Sequence, residues 1–291
     1  MKLPVPDEPY PDWSRFITAV WNHGMSVKNC NPTFLKEHAE AARKSIVSSM
    51  TERNEARTVR PSAFLGCARQ TYYAANGYKA DPMPDNIGTT FAVGHMLHEL
   101  SYAAFKSALP DGFSVEVEKE VELPSWWPKD DERFNQKGHV DLLFHVETEE
   151  AEKYLSYVAP KDMLVDLKTM GGYSFKQHAK KDFGEDPDGF GYMAQLAVYA
   201  DSLGVLENGA LLAGINRDSL TQPLRPRLVS GEVLHWEMSR VKGALDEAVG
   251  GNDPGPEFLE RHGKAAYFLC GRGGRPGYCA FKDICKEMCD D

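Results

Sequence analysis

Apolar and polar positions alternate along 113–123, where Val115, Val117, Val121 and Leu123 stand two or four residues apart with charged residues between them. That period of two predicts a half-exposed strand or hairpin. Ser125-Trp126-Trp127-Pro128 then turns the chain into a second strand carrying Gly138-His139-Val140-Asp141, and a third contains Val165-Asp166-Leu167-Lys168. The charged connection between these two predicts adjacent antiparallel strands. Helical spacing follows a different rhythm. Phe91, Leu97, Leu100, Ala104 and Phe105 recur as on one helix face over 90–109. Further helices are expected at 34–49, 174–181, 189–203 and 231–249, a strand at 209–216 and a loop at 4–11. Strands mixed with helices in this way make an α/β sandwich around a mixed sheet.

Each of the two short strings carries one acidic interruption in an apolar strand. Side chains at i and i+2 of a strand share a face, so Asp166 and Lys168 should point the same way. Buried on such strands, they would be costly without a charge partner or a metal. Asp141, arriving from a neighbouring strand, completes a set of two carboxylates and one ammonium. Carboxylates hold a hard divalent ion, and an ammonium steadies a nucleophile or a charged transition state. This is the logic of metal-dependent phosphodiester hydrolysis. The plainer alternative is a surface Asp and a surface Lys on two amphipathic strands.

Two helical elements bear on that choice. His98 stands one turn after Gly94 in Gly94-His95-Met96-Leu97-His98-Glu99, and Gln195 and Tyr199, four apart, share a helix face. Taken singly, a His on an apolar helix is a core residue as readily as a ligand, and a Gln–Tyr pair is ordinary.

Taken together, and in this order, these residues resemble the PD-(D/E)XK nuclease superfamily in its RecB-like branch. Asp166 and Lys168 match the D/E-x-K element, while no Pro accompanies Asp141, as in many RecB-like members. His98 takes the place of the metal-binding His of a G-x-x-x-H element. Gln195 and Tyr199 match a Q-x-x-x-Y element beside the catalytic centre that positions DNA or the catalytic Lys. The resemblance implies a restriction-endonuclease-like fold and a DNA exonuclease. It implies that His98, Asp141, Asp166 and the Leu167 carbonyl bind Mg2+ or Mn2+, with Lys168 acting on the attacking water. Glu99 and Glu120 are candidate extra carboxylates.

The six cysteines add a second metal question. The chain begins with an acidic, Pro-rich stretch bearing no apolar signal segment, which leads us to expect a cytoplasmic protein without disulfides. Clustered thiols then suggest metal binding. Cys270, Cys279, Cys285 and Cys289 are separated by eight, five and three residues, a poor match to zinc knuckles and a better one to an iron–sulfur cluster. Ser62-Ala63-Phe64-Leu65-Gly66-Cys67-Ala68-Arg69-Gln70-Thr71-Tyr72-Tyr73 is similar to the N-terminal cysteine motif of the iron–sulfur members of the same branch, the CRISPR-associated RecB-like exonucleases and AddB-type nuclease domains. In these, one N-terminal Cys joins three C-terminal ones around a 4Fe–4S cluster. Cys279 and Cys285 match the last pair. Pro276 stands where the family has another Cys, so Cys270 is the favoured fourth ligand and Cys289 its competitor; Cys30 is expected to be a plain thiol.

A chain of 291 residues with 42% hydrophobic content can bury a full core, and no repeat, low-complexity run or transmembrane run appears. The resemblance spans roughly 62–285. The organisation expected is therefore a helical extension at 1–57 that shapes a DNA path or mediates assembly, and a nuclease domain at 58–291. A net charge of -10 is awkward for binding phosphates, which need local positive potential. Candidate DNA-facing cations are Lys176, Lys180, Lys181, Arg225, Arg227, Arg240 and Lys242. DNA, single-stranded or at an end, is the expected partner. A rival reading is a DNA-end recognition or trimming module working with an integrase or recombination protein. Another is an iron–sulfur redox or sensing protein on a retired nuclease fold, against which the intact His-Asp-Asp-Lys set speaks.

Overall fold

The run Ala210-Leu211-Leu212-Ala213-Gly214-Ile215-Asn216 is buried at every position, as a strand covered on both faces must be. It is the fourth strand of a mixed five-stranded sheet with the order β1-β2-β3-β4-β5: β1 (Phe113–Glu122), β2 (Lys137–Val146), β3 (Asp162–Met170), β4 (Ala210–Asn216) and β5 (Arg225–Val229). A computed structural model of the chain describes residues 1–26, 28–51, 58–63, 66–81, 87–156, 160–180, 191–221, 224–255 and 279–287. Around the sheet lie α1 (Trp13–Gly24), α2 (Pro32–Thr51), α3 (Ala68–Ala75), α4 (Ile87–Ala108), α5 (Gly172–His178), α6 (Tyr192–Ser202), α7 (Gly231–Gly250) and α8 (Lys282–Glu287). The chain is thus α/β, a mixed sheet flanked by helices.

β3 and β4 run parallel and every other neighbouring pair is antiparallel. Parallel neighbours need a crossover, and α5 and α6 belong to it. The antiparallel pairing of β2 with β3 follows the expectation from the charged connection. One sheet face packs against α3, α6 and α7, with Tyr73, Val140, Leu164, Leu196, Leu212 and Leu245 in a common core. The other packs against α1 and α4, through Phe16, Trp21, Phe105, Phe144, Val165 and Leu167. Burying each such large side chain contributes about 1.5–3 kcal/mol, so both faces hold the sheet.

The segment expected as a helical extension carries α1 and α2. Asp12 caps α1 by accepting the Arg15 N–H at 2.8 Å. Its Trp13, Phe16, Ile17, Val20 and Trp21 are buried in the same core as the sheet, and Trp21 Nε1 donates to Ser101 Oγ of α4 at 3.1 Å. α2 lies along α4, where His38 Nδ1 meets Glu99 Oε2 at 2.6 Å.

Sequence spacing misses β5, a short strand reading Arg225-Pro226-Arg227-Leu228-Val229. Its proline is tolerated because β5 is the sheet edge. The two arginines are engaged by the protein: Arg225 lies 4.9 Å from the Phe175 ring, and Arg227 Nη1 donates to the Ala179 carbonyl at 2.7 Å. Of the other cations weighed for DNA, Arg240 pairs with buried Glu237 at 2.8 Å and Lys242 lies 4.9 Å from the Trp126 ring. Lys181 lies outside the described residues, as does the first part of the helix expected at 189–203. Among the described residues, no helix is long and apolar enough to cross a membrane.

Candidate metal centre and charge cluster

The β2–β3 ladder runs from His145 opposite Asp162 to Leu142 opposite Val165 and goes no further. At the next position Asp141 replaces backbone pairing with side-chain pairing: its Oδ2 accepts the Leu167 N–H at 2.7 Å. On the other side of β2 the ladder with β1 holds Val117 opposite Leu142 and Lys119 opposite Val140 but skips the position between, where Glu118 faces Asp141. Glu118 has a φ of 48°, left-handed backbone that a non-glycine residue adopts only at a cost. The strands therefore part at Asp141. The N–H and C=O of a strand residue point to the same edge, so the Leu167 carbonyl faces the gap as well.

Helices close the gap from both faces of the sheet. From α4, His98 Nδ1 approaches Asp141 Oδ1 at 3.5 Å, and the Tyr102 hydroxyl donates to Glu118 Oε1 at 2.5 Å. Gly94 sits on the same helix over β3, about one van der Waals contact from Thr169, since a Cβ there would lie 4.0 Å from Thr169 Oγ1. From α6, Gln195 Oε1 accepts from Lys168 Nζ at 3.0 Å and Gln195 shares a hydrogen bond with Tyr199. The Tyr199 ring lies against the backbone of Gly138, so closely that a Cβ at 138 would fall 2.5 Å from Tyr199 Cε1. The glycine of one motif thus makes room for the tyrosine of another. Lys168 Nζ also contacts both Asp166 oxygens, at 2.8 and 2.7 Å, and lies 5.1 Å from the Tyr192 ring.

The electrostatics follow from burial and pairing. Asp166 is only 3% exposed; burial, opposed by Lys168 and reinforced by Asp141, pushes its carboxyl up to about 6. Burial alone would raise Asp141 too, but His98, Lys168 and the Leu167 N–H outweigh it and hold that carboxyl below its ordinary value. Burial would discharge His98 and Lys168, yet Asp141 raises the first, and Asp166 with Asp141 the second. Glu118 is exposed as a residue, yet desolvation of its carboxyl raises it above its ordinary value, and burial lifts Tyr102 well above the ordinary tyrosine range. Tyr199 reaches about 12 through burial and the nearby Asp166 charge. The four groups Asp141, Asp166, Lys168 and His98 thus form one interacting set.

Among the described residues, His98, Glu118 and Asp141 each offer a ligand atom within 4.8 Å of the others. One imidazole nitrogen and two carboxylates suit a divalent ion with mixed nitrogen and oxygen ligands. Asp166 lies outside that trio and is held by Lys168, and Leu167 presents its backbone to the same gap. The additional carboxylate differs from both candidates raised by the sequence. Glu99 is taken by His38, and Glu120 points outward to Lys137 at 2.6 Å. Glu118 escapes pattern reading because β1 alternates Glu and Val over Glu116–Val121 with one Lys, and only the left-handed turn at 118 distinguishes it from its neighbours.

The cysteine corner lies on the α3 side. Cys67 occupies the N-cap of α3 without making a side-chain capping bond. Two residues on, Arg69 binds Asp253 with Nη2 and Nε at 2.9 and 3.0 Å, and its Nη1 donates to Cys285 Sγ at 3.7 Å. The C-terminal segment is fastened there: the Asp81 N–H donates to the Ala280 carbonyl at 2.7 Å and the Asp283 N–H to Asp81 Oδ2 at 3.1 Å, while within the segment the Phe281 N–H donates to Cys279 Sγ at 3.4 Å. Residues 279–287 thus return to the Cys67 region. Cys270 and Cys289 lie outside the described residues. Cys30 stands apart, on Ser107 Oγ of α4 at 3.9 Å.

No protein-family model and no curated protein matches the chain. Among solved structures, the one described as "Crystal structure of SSO0001" is similar to it, at 14% identity and a TM-score of 0.43, over 86% of this chain and 95% of that one. A likeness so distant carries no argument about family or chemistry.

Proposed function

We propose that the chain is a metal-dependent deoxyribonuclease of the RecB-like kind, on a restriction-endonuclease-like core, that degrades DNA from a free end and carries a structural 4Fe–4S cluster. The observation that carries this reading is the convergence of His98, Asp141, Asp166 and Lys168 on the gap where β2 leaves β3. A solvated ion pair on a strand needs no such arrangement. Here the backbone pairing stops, and buried Asp166 with half-buried Asp141, Lys168 and His98, from two sheet strands and a helix, fill the opening.

His98 and Asp141, with Glu118 beside them and the Leu167 carbonyl and Asp166 at the edge of the gap, would hold Mg2+ or Mn2+. When bound, such an ion supplies Lewis acidity, activating a water and neutralising charge at the scissile phosphate. The protein's own groups do the rest. Lys168, held by Asp166 and Gln195, places a positive charge where the pentavalent phosphate accumulates negative charge. With so close a carboxylate partner it stays charged, so it orients the water and stabilises the transition state more readily than it removes a proton. Tyr199 and Gly138 fix the α6 face against β2, which keeps Gln195 on Lys168. The water oxygen bonds to phosphorus as the phosphodiester P–O bond breaks; the water gives up one proton to solvent and the departing oxygen takes one up from solvent, so the protons balance.

The cysteine corner fits an iron–sulfur group in its donors. Cys67, Cys279 and Cys285 are on neighbouring elements, and the two C-terminal sulfurs already receive N–H donors of the kind that stabilise cluster thiolates. The fourth ligand, Cys270 or Cys289, lies outside the described residues. Anaerobically purified protein should be brown and, with Mn2+ or Mg2+, should degrade an end-labelled linear single strand while sparing the covalently closed circle. Equal rates on the two substrates would overturn the requirement for a free end, and no cleavage of either would overturn the nuclease. Colourless folded protein containing zinc by elemental analysis would overturn the iron–sulfur assignment.

A further inference from the structure

The Tyr102 hydroxyl sits at the centre of the three candidate metal ligands. It lies 2.5 Å from Glu118 Oε1, 3.3 Å from Asp141 Oδ1 and 3.5 Å from His98 Nδ1. These groups reach it from three elements, β1, β2 and α4, so this one hydroxyl oxygen lies within 3.5 Å of a group from each. We propose that Tyr102 is a positioning residue for the metal centre, acting through Glu118, which it draws into the site as a metal ligand. The inference rests on the metal-dependent reading of the gap.

Three features argue for it. Glu118 holds a left-handed φ of 48°, an arrangement that persists only where the surroundings hold it, and the short bond from Tyr102 is such a hold. Without that turn, a regular β1 would continue its ladder across position 118, where the register instead skips. The tyrosine is itself immobilised. It is fully buried, and its ring meets the His38 ring of α2 edge-on at 5.9 Å, while His38 is fixed to Glu99 at 2.6 Å. The N-terminal α2 thereby braces the group that orients the ligand, a role for a residue outside the motif-bearing part of the chain. A carboxylate whose one oxygen is pinned by a hydrogen bond offers the other in a fixed direction, which is how outer-shell partners raise metal affinity.

The test is Mn2+ binding to the holoprotein, followed by the loss of free-ion EPR signal, in wild type, Tyr102→Phe, Glu118→Gln and the double variant. Tyr102→Phe keeps the ring and its packing and removes only the hydroxyl. It should weaken Mn2+ binding about 10–100-fold while the melting temperature in EDTA stays that of wild type. Glu118→Gln should weaken binding at least as much, and adding Tyr102→Phe to it should cost no more, because the phenol works through that carboxylate. Wild-type affinity in either single variant overturns the proposal while leaving a metal site at the gap intact. Additive losses in the double variant overturn the route through Glu118. Absence of Mn2+ binding in wild type overturns both this proposal and the reading on which it rests.

Discussion

The gap at Asp141 and the corner at Arg69 both withdraw charge from water, but they are built in opposite ways. At the gap the skeleton is backbone: strand register sets Asp141 across from Glu118 and beside Leu167, and α4 and α6 add side chains from either face. At the corner a single side-chain pair spans the chain, Arg69 to Asp253, residues 184 apart in sequence, with Cys285 on the same guanidinium. A site framed by a ladder survives the loss of one charged side chain, because the strands remain paired elsewhere. A corner framed by side chains and sulfur does not. The comparison therefore separates substitutions that remove chemistry from those that remove structure.

The largest effect should come at the gap and leave the fold standing. Asp141→Ala, Asp166→Ala and Lys168→Ala are each expected to reduce DNA cleavage by at least about 10²–10³-fold, with the far-UV circular dichroism and the brown chromophore unchanged. Cleavage retained by Asp166→Ala, assayed with Mn2+ as well as Mg2+, removes that residue from the chemistry.

Cys67→Ser breaks the comparison from the other side. Serine is a better N-cap than cysteine, and Cys67 makes no capping bond at the start of α3. Were the residue only structural, the substitution would be neutral or mildly stabilising. With a cluster that ties residue 67 to the C-terminus, closing a very long loop, it should bleach the protein and make it insoluble or readily unfolded. Iron content and solubility of the variant decide between these outcomes.

Arg69→Met asks how much of the corner is held without sulfur. Arg69 is 6% exposed and the Asp253 side chain 25%, so the pair lies between a surface and a buried one. Its loss should destabilise by about 2 kcal/mol, read as a lowered urea midpoint in protein whose metal content is measured alongside. An unchanged midpoint would assign the corner's stability to the cysteines and the Asp81 hydrogen bonds instead.

Two glycines near the gap contrast an effect comparable to that of Arg69→Met with the smallest of all. Gly138→Ala drives a methyl into the Tyr199 ring and should destabilise by about 1–3 kcal/mol, loosening α6 and with it Lys168, so cleavage should fall with stability. Gly94→Ala meets only ordinary contact, 4.0 Å from Thr169, inside a helix where alanine is favoured by about 0.5–1 kcal/mol. It should be neutral or slightly stabilising in thermal melts. A severe loss there would mean that the helix needs the glycine for DNA or metal access.

Much of the frame is written locally. The period of two over β1, the apolar run of β4 and the helical spacing of α2, α4 and α7 each place an element near its observed bounds, because burial of one face or two dictates which residues are apolar. The D-x-K spacing by itself puts Asp166 and Lys168 on one face, and they do form an ion pair. The four-residue spacing puts Gln195 beside Tyr199, and α6 presents both toward β2 and β3.

Tertiary structure alone decided the rest. No local rule says that β2 stops pairing with β3 at Asp141, since that depends on a side chain competing with the ladder for one N–H. Nor does alternation single out Glu118 from Glu116 and Glu120, because its direction is set by a left-handed φ and a tyrosine 16 residues away. The short, Pro-containing β5 gains its strand only from its neighbour β4. α1 reads as part of an appendage in sequence, yet it buries two tryptophans and a phenylalanine against the sheet. Sequence determined which residues could carry charge or face a core; the meeting of distant strands and helices decided which of those charges became a site.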